Sequence, residues 1–423
     1  MKQNQLRNNV LYNTIGNIIY YVSQYALMIM ATNISGNAVN GMLATAMTIA
    51  ATCLTVCAYG MRSFQISDFS QQYSDCTYLK SRYLTLGAAA LLCTGFAFAV
   101  SYSAQQRIVI LVYTLCRLSE GFVDVLHGYL QRAERMDLVG ISFGIRGLIS
   151  MLVFGVALWL TQDIVVTLLL MTALNWVYIL VVDWPLSRKQ ADFSARKTLA
   201  DGSVQPLGGS LGSLLWVCAP LAVYSFLNSA VGSVIKLYCE RICGAEAFSN
   251  FNNIFGPVQI LQVGAAYVFV PFMTIFAHAW VDKNKARYLK ALGIASAAMP
   301  LLWVCGAVGA ALLGQWGLRL LYGEEILASA ALLQPSVVAT VITTYVSILC
   351  YLLSMMRKMK DLIISNFVGI VASFAFAVPM ITAYGIYGAA YATIAARALQ
   401  AAVSLGFVLW RCKQQFAPEG QVN

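Results

Sequence analysis

The sequence predicts an all-α polytopic membrane protein, with about twelve transmembrane helices in two six-helix lobes around a central cavity. Three observations predict it. Of the 423 residues, 60% are hydrophobic and only 10% are charged, whereas a soluble domain carries about 25% charged residues. Apolar stretches long enough to span a bilayer, roughly 20 residues each, recur from one end of the chain to the other. The basic residues gather on alternate connections between those stretches.

The twelve spans fall at about 10–32, 38–60, 83–101, 108–130, 138–160, 164–182, 212–232, 248–273, 291–313, 330–353, 361–381 and 386–410. The first keeps a polar start and lacks a small-residue cleavage pattern, so it reads as a retained helix rather than a removed signal peptide. The two least distinct are the seventh, with Pro220, and the eighth, with Pro257 and Pro271. Proline removes a backbone hydrogen bond and bends a helix, although prolines are common in membrane helices.

The net charge is +10. In a soluble chain this would point to nucleic acid; here its placement points to membrane orientation, and no nucleic-acid partner is expected. One side of the membrane holds Lys2, Arg7, Arg62, Lys80, Arg82, Arg132, Arg135 and the clusters at 188–197, 283–290, 357–360 and 411–413. The other holds Arg107, Lys236, Arg241 and Arg319. Basic residues near helix ends stay in the cytoplasm, so both termini are expected there. The longest polar connection, Asp183 to Ser210, is then cytoplasmic and reads as a linker with room for a short surface helix. It divides the chain into a first lobe at 1–185, a linker at 186–210 and a second lobe at 211–423. External connections are short, the largest being about Gly314 to Ser329.

The 11 cysteines lie mostly in apolar runs and form no CxxC pair with metal-ligand spacing, so they read as small packing residues. A disulfide between Cys239 and Cys243 is not expected. HExxH and P-loop patterns are missing, as are loops large enough for a catalytic domain. No catalytic residue, metal or cofactor is therefore expected, and an enzyme is disfavoured.

Local residues carry a family resemblance. The run Gly60-Met-Arg-Ser-Phe-Gln-Ile-Ser-Asp68 with Tyr78-Leu-Lys-Ser-Arg82 resembles the second cytoplasmic-end region of bacterial polysaccharide biosynthesis flippases. These flippases belong to the multidrug/oligosaccharidyl-lipid/polysaccharide (MOP, MATE-like) exporter superfamily. The segments Leu321-Tyr-Gly-Glu-Glu-Ile and Tyr384-Gly-Ile-Tyr-Gly-Ala-Ala-Tyr-Ala are similar to that family, as are Asn13 and Asn17 in the first span. The resemblance implies a flippase in the bacterial cytoplasmic membrane. It would move a polyprenyl-pyrophosphate-linked oligosaccharide outward by alternating access, beside glycosyltransferases or a polymerase of the same pathway. A monomer fits a single central cavity. A cation-coupled exporter of small amphipathic molecules with the same fold is the alternative.

Charge inside a spanning helix costs roughly 2.5–3.5 kcal/mol per residue on insertion scales, so it seeks a cavity or a partner. The fourth span carries Arg117, Glu120, Asp124 and His127, continuing to Gln131, within an arc of roughly 80°. This stripe is expected to face the protein interior. Asp124 lies roughly 10 Å and Arg146 roughly 12 Å from the cytoplasmic end of neighbouring spans, which predicts an Asp124–Arg146 contact. Arg397 lies about 21 Å from that end, at a depth similar to Arg117. The guanidinium fork suits phosphate oxygens, so Arg117, Arg146 and Arg397 are the candidate substrate-binding residues. Glu120, Asp124 and His127 are candidates for coupling to a proton or sodium ion, or for a structural ion-pair network. Arg62, Asp68, Lys80 and Arg82 are expected at the cytoplasmic surface, with Asp68 capping or pairing locally; Lys236, Glu240 and Arg241 are expected at the external end of the seventh span.

Overall fold

In hydrocarbon a backbone has to satisfy its own hydrogen bonds, and a helix does so within one segment. The computed structural model describes residues 3–68, 72–191, 193, 196–198, 204–206 and 209–416. Lys2 and the rest of the 186–210 linker lie outside the described residues. The chain divides into two compact units, Met1–Ser229 and Ala230–Asn423.

The first unit contains α1 (Gln3–Ala58), α2 (Met61–Ser67), α3 (Asp75–Ala99), α4 (Ala104–Arg132), α5 (Met136–Thr161) and α6 (Ile164–Tyr178). A π-helical turn (Ile179–Asp183) leads to the short α7 (Trp184–Arg188). Strands β1 (Arg196–Thr198) and β2 (Val204–Pro206) then pair antiparallel, Lys197 opposite Gln205. The 183–210 connection thus holds the short helix α7 and, beyond it, a pair of strands. The division between units falls within α8 (Leu211–Cys243).

The second unit continues with α9 (Ala245–Val258), α10 (Ile260–Val281), α11 (Lys285–Gly309), α12 (Gln315–Tyr322), α13 (Leu333–Met355), α14 (Met359–Tyr384) and α15 (Ile386–Gln415). A π-helical turn, Ala310–Gly314, joins α11 to α12. The segment read as the largest external loop is therefore mostly helical: α12 and a 3-10 stretch at Glu325–Leu332 fill it. Gly323, at φ 82, turns the chain between them.

Twelve membrane crossings account for these helices. α1 holds two of them, because Gly36 breaks it with φ 85 and ψ 174, a conformation open to glycine and costly for other residues. By length and composition nine helical stretches among the described residues are apolar enough to span, with α1 and α2 counted as one. α4 is not among them because it carries the charges of the polar stripe. α9 and α10, separated by Gln259 alone, complete the set. Side-chain caps fix several starts: Ser74, Ser103, Asp163 and Asn284 each accept a backbone N–H of the following turn, which satisfies donors the helix cannot. All eleven cysteines are free thiols.

Within the first unit α1 packs on α5 backbone to backbone. A Cβ on Gly16 would stand 1.8 Å from the Gly140 carbonyl oxygen, and one on Gly140 would stand 2.2 Å from that of Tyr12. Small residues permit this approach where lipid offers helices no hydrophobic drive to associate. The contact also sets the phase of Tyr20, one turn further along α1. Replacing Gly16 with Ala forces two backbones apart, whereas a Cβ on Gly87 in α3 meets nothing within 4 Å. We expect Gly16→Ala to lose most folded protein in fluorescence-detected size exclusion from membranes, and Gly87→Ala to match the wild type.

Candidate functional site

The polar stripe of α4 repeats at spacings of three and four residues, which stacks its members on one face. Each of them meets protein. Arg117 donates from Nη1 to Glu120 Oε1 at 2.6 Å and to Tyr20 Oη of α1 at 3.2 Å. The Tyr20 hydroxyl in turn donates to Glu120 Oε1. This triangle closes locally: the carboxylate offsets the guanidinium one turn away, and the phenol orients both.

One turn further, Asp124 accepts from Arg82 Nη2 of α3 at 2.7 Å and lies 3.5 Å from Arg62 Nη1 of α2. Arg62 also donates to Gln131 Oε1 at 3.0 Å. The expected Asp124–Arg146 contact is therefore replaced by an Arg62–Asp124–Arg82 cluster. The cause is packing order. α4 and α5 are consecutive in sequence, but α4 packs chiefly on α1, α3 and α6, while α5 packs on α1. Arg82, expected at the surface, is fully buried and also donates to the Cys57 carbonyl. α3 begins at Asp75, well before the expected span start at 83, and this draws Arg82 inside. Asp68 caps the following loop, accepting from the Gln72 and Tyr73 N–H groups at 2.9 and 3.2 Å and from Tyr78 Oη at 3.0 Å.

His127 is fully buried, with its ring edge-on to Phe143 at 4.8 Å. Ser142 Oγ of α5 donates its single proton to Asp183 Oδ2 at 3.0 Å, so its oxygen accepts from His127 Nε2–H at 3.1 Å. The result is a buried His127–Ser142–Asp183 chain. Its two ends are half-satisfied: His127 Nδ1 and Asp183 Oδ1 have no hydrogen-bond partner. The sequence places Asp183 at the start of the polar connection that follows the sixth span. The π-helical turn instead extends the sixth span past it and buries it at 1% exposure. The apolar Trp184 and Leu186 beyond it were the signal that the span continues.

Arg146 of α5 is buried at 2% exposure. Its Nη2 lies 3.5 Å from Ser119 Oγ, while Nε and Nη1 have no partner. Of the candidate arginines in this unit, Arg117 is held in an ion pair, and Arg146 retains unused donors.

In the second unit Arg397 lies mid-way along α15, buried at 7% exposure. Its Nη1 donates to Gln400 Oε1 at 2.9 Å. Gln400 Nε2 donates to Asn366 Oδ1 of α14 at 2.9 Å, and Asn366 Nδ2 to the Leu362 carbonyl at 2.8 Å. Gln400 and Asn366 escaped sequence reading because neutral amides in an apolar helix carry no charge signal. Lys236 and Glu240 of α8 are half-buried and Arg241 is exposed. Among the described residues no group of three or more His, Cys, Asp or Glu side chains is placed to hold a metal.

Removing Asp124 leaves the fully buried Arg82 charge uncompensated, whereas removing Arg82 leaves Asp124 with Arg62. We expect Asp124→Asn alone to cost about 3–5 kcal/mol and Arg82→Gln alone to cost less, each read as a lowered thermal midpoint in detergent. The Arg82→Gln/Asp124→Asn double variant should recover part of the loss.

No family model matches the chain. The sequence is 21% identical over 321 residues to the capsular polysaccharide biosynthesis protein CapF of Staphylococcus aureus, covering 75% of this chain and 77% of that protein. Among solved structures, it is similar to an inward-facing multidrug resistance MATE family transporter of the MOP superfamily. The TM-score is 0.72 at 13% identity, over 97% of this chain and 100% of that one. It is also similar to a MOP superfamily transporter from Pyrococcus furiosus, at TM-score 0.64 and 12% identity, over 98% and 96% of the two chains. The protein is a multi-pass membrane protein with the fold of the MOP superfamily transporters.

Proposed function

We propose that this protein carries a polyprenyl-pyrophosphate-linked oligosaccharide from the cytoplasmic to the outer leaflet by alternating access, for surface polysaccharide synthesis. The likeness to a capsular polysaccharide biosynthesis protein, along three quarters of both chains, carries this reading. Joined to a transporter fold, it selects the step of such a synthesis that needs a transporter: moving the lipid-linked glycan across the bilayer. The membrane is the bacterial cytoplasmic membrane with both termini inside, and the protein acts as a monomer beside the glycosyltransferases or polymerase of its pathway.

The buried arginines support an anionic cargo. Arg146, with donors unused, is the phosphate contact proposed for the first unit, and Arg397, oriented by an amide, is the one proposed for the second. Arg117 is shared with Glu120 and serves the shape of the site more than the charge of its ligand. The coupling ion in this reading is a proton, and its seat is the His127–Ser142–Asp183 chain, whose unpartnered Nδ1 and Oδ1 each accept one. Glu120 and Asp124, held by arginines, are structural.

Vesicles reconstituted with the purified protein and loaded with labelled lipid-linked sugar test the cargo. Wild type should expose the sugar to an external hydrolase or lectin. Arg146→Gln and Arg397→Gln should each slow this about tenfold or more, the equivalent of one charge-assisted hydrogen bond. No movement of the lipid, with export of cationic dyes intact, would establish the drug exporter instead. For the coupling seat, Asp183→Asn should abolish acceleration by an imposed pH difference while slow equilibration persists. Acceleration by sodium at constant pH would overturn the proton.

A further inference from the structure

A second polar row runs along α8 and ends in a lysine. Cys218, Ala222, Ser225, Ser229, Gly232 and Lys236 follow one another at spacings of three and four residues, so they share one face of the helix. Cys218 and Ala222 are buried on that face, whereas the exposed Trp216 and Val223 lie on the far side. The row that leads to Lys236 is therefore turned toward protein, and the opposite side of α8 is the one turned toward lipid. That placement spares the ammonium a position in hydrocarbon.

Gly232 fixes the depth of the lysine. A Cβ on Gly232 would stand 3.9 Å from Arg397 Nη2 of α15, so these two residues lie at one level within the second unit. Lys236 follows one turn later, about 6 Å nearer the Cys243 end of α8. It is half-buried, and among the described residues no carboxylate closes an ion pair with it. Its electrostatic neighbour is the Cys239 thiol. Glu240, the carboxylate one turn on, interacts with Arg241 instead. The ammonium thus stands beside the level of Arg397 with no carboxylate to offset it.

We propose that Lys236 is a cargo contact, its ammonium taking a phosphoryl oxygen of the pyrophosphate one turn from Arg397 toward the Cys243 end of α8. The proposal rests on the reading of the cargo as a pyrophosphate-linked lipid, and it does not draw on the charge of Arg397. Lysine suits this place by its chemistry. The Arg397 fork is planar and one of its nitrogens is fixed on Gln400 Oε1, so it sets a direction. An ammonium is a compact point charge on a flexible stem, so it follows a phosphate along the helix without imposing one orientation.

The test uses full-length protein, with inorganic pyrophosphate as the binding probe and lipid-linked sugar in vesicles as the transport probe. Lys236→Gln should weaken pyrophosphate binding about tenfold or more and raise KM for the lipid with kcat little changed, at an unaltered thermal midpoint. Lys236→Arg keeps a positive charge at the same place and should retain most of the binding. Lys236→Glu should bind more weakly than Lys236→Gln, because it repels the anion. A lysine that only reached lipid headgroups would leave pyrophosphate binding untouched, so wild-type binding in folded Lys236→Gln would overturn the contact. Binding and thermal midpoint lost together in both Lys236→Gln and Lys236→Arg would overturn it as well, by marking a structural role. Should Lys236→Gln fail to fold, Lys236→Met, which keeps the unbranched stem, is read by the same criteria. Absence of pyrophosphate binding in the wild type would instead overturn the cargo reading on which the contact rests.

Discussion

An arginine inside a membrane helix has to bring its hydrogen-bond partners with it, because hydrocarbon supplies none. The interior of this protein is arranged around that requirement. Arg117 takes Glu120 and Tyr20, Arg82 takes Asp124 and the Cys57 carbonyl, and Arg397 takes Gln400. Each solution draws in a second helix or a second turn, so the arginines fix which faces of α3, α4, α5 and α15 turn inward. The solutions also differ in residual charge. The Arg117–Glu120 pair is neutral, the Arg62–Asp124–Arg82 cluster carries one positive charge in excess, and the hydroxyl at Ser119 adds nothing to offset Arg146.

The backbone contact between α1 and α5 comes first in this arrangement. Gly16 and Gly140 allow the two helices to touch at their main chains, which no larger residue permits. That contact places Tyr20 against Arg117 and Glu120, and its ring lies edge-on to Phe143 at 5.3 Å. Phe143 also meets the His127 ring, so one aromatic side chain separates the Arg117 triangle from the His127–Ser142–Asp183 chain. The π-helical turn at Ile179–Asp183 completes the second group by turning Asp183 inward rather than toward the linker.

Sequence reading recovered the stripe on α4 and missed its partners. Spacing on one helix is a local property, so Arg117, Glu120, Asp124, His127 and Gln131 fell on one face by arithmetic. The identity of the helix opposite each residue is not local. Adjacency of α4 and α5 in the sequence pairs Asp124 with Arg146; in the fold α3 and α2 reach Asp124 first. Arg82 and Asp183 were misjudged for a related reason. Both sit where an apolar run meets charge, and hydropathy places the boundary at the charge, whereas α3 and the π-helical turn carry the helices through it. Tyr20, Ser142, Gln400 and Asn366 carried no signal, because neutral polar residues are common in membrane helices and become informative only with a partner.

The sequence by itself determined the class, the number of crossings and the helices that carry charge, since hydrophobic length and charge placement are set residue by residue against the thickness and polarity of a bilayer. Tertiary structure alone decided which charges are cancelled and which are kept. That choice depends on contacts between residues far apart in the chain, such as Arg82 with Asp124 and Gln400 with Asn366. Such contacts follow from which helix faces pack together, and no periodicity within one helix encodes them.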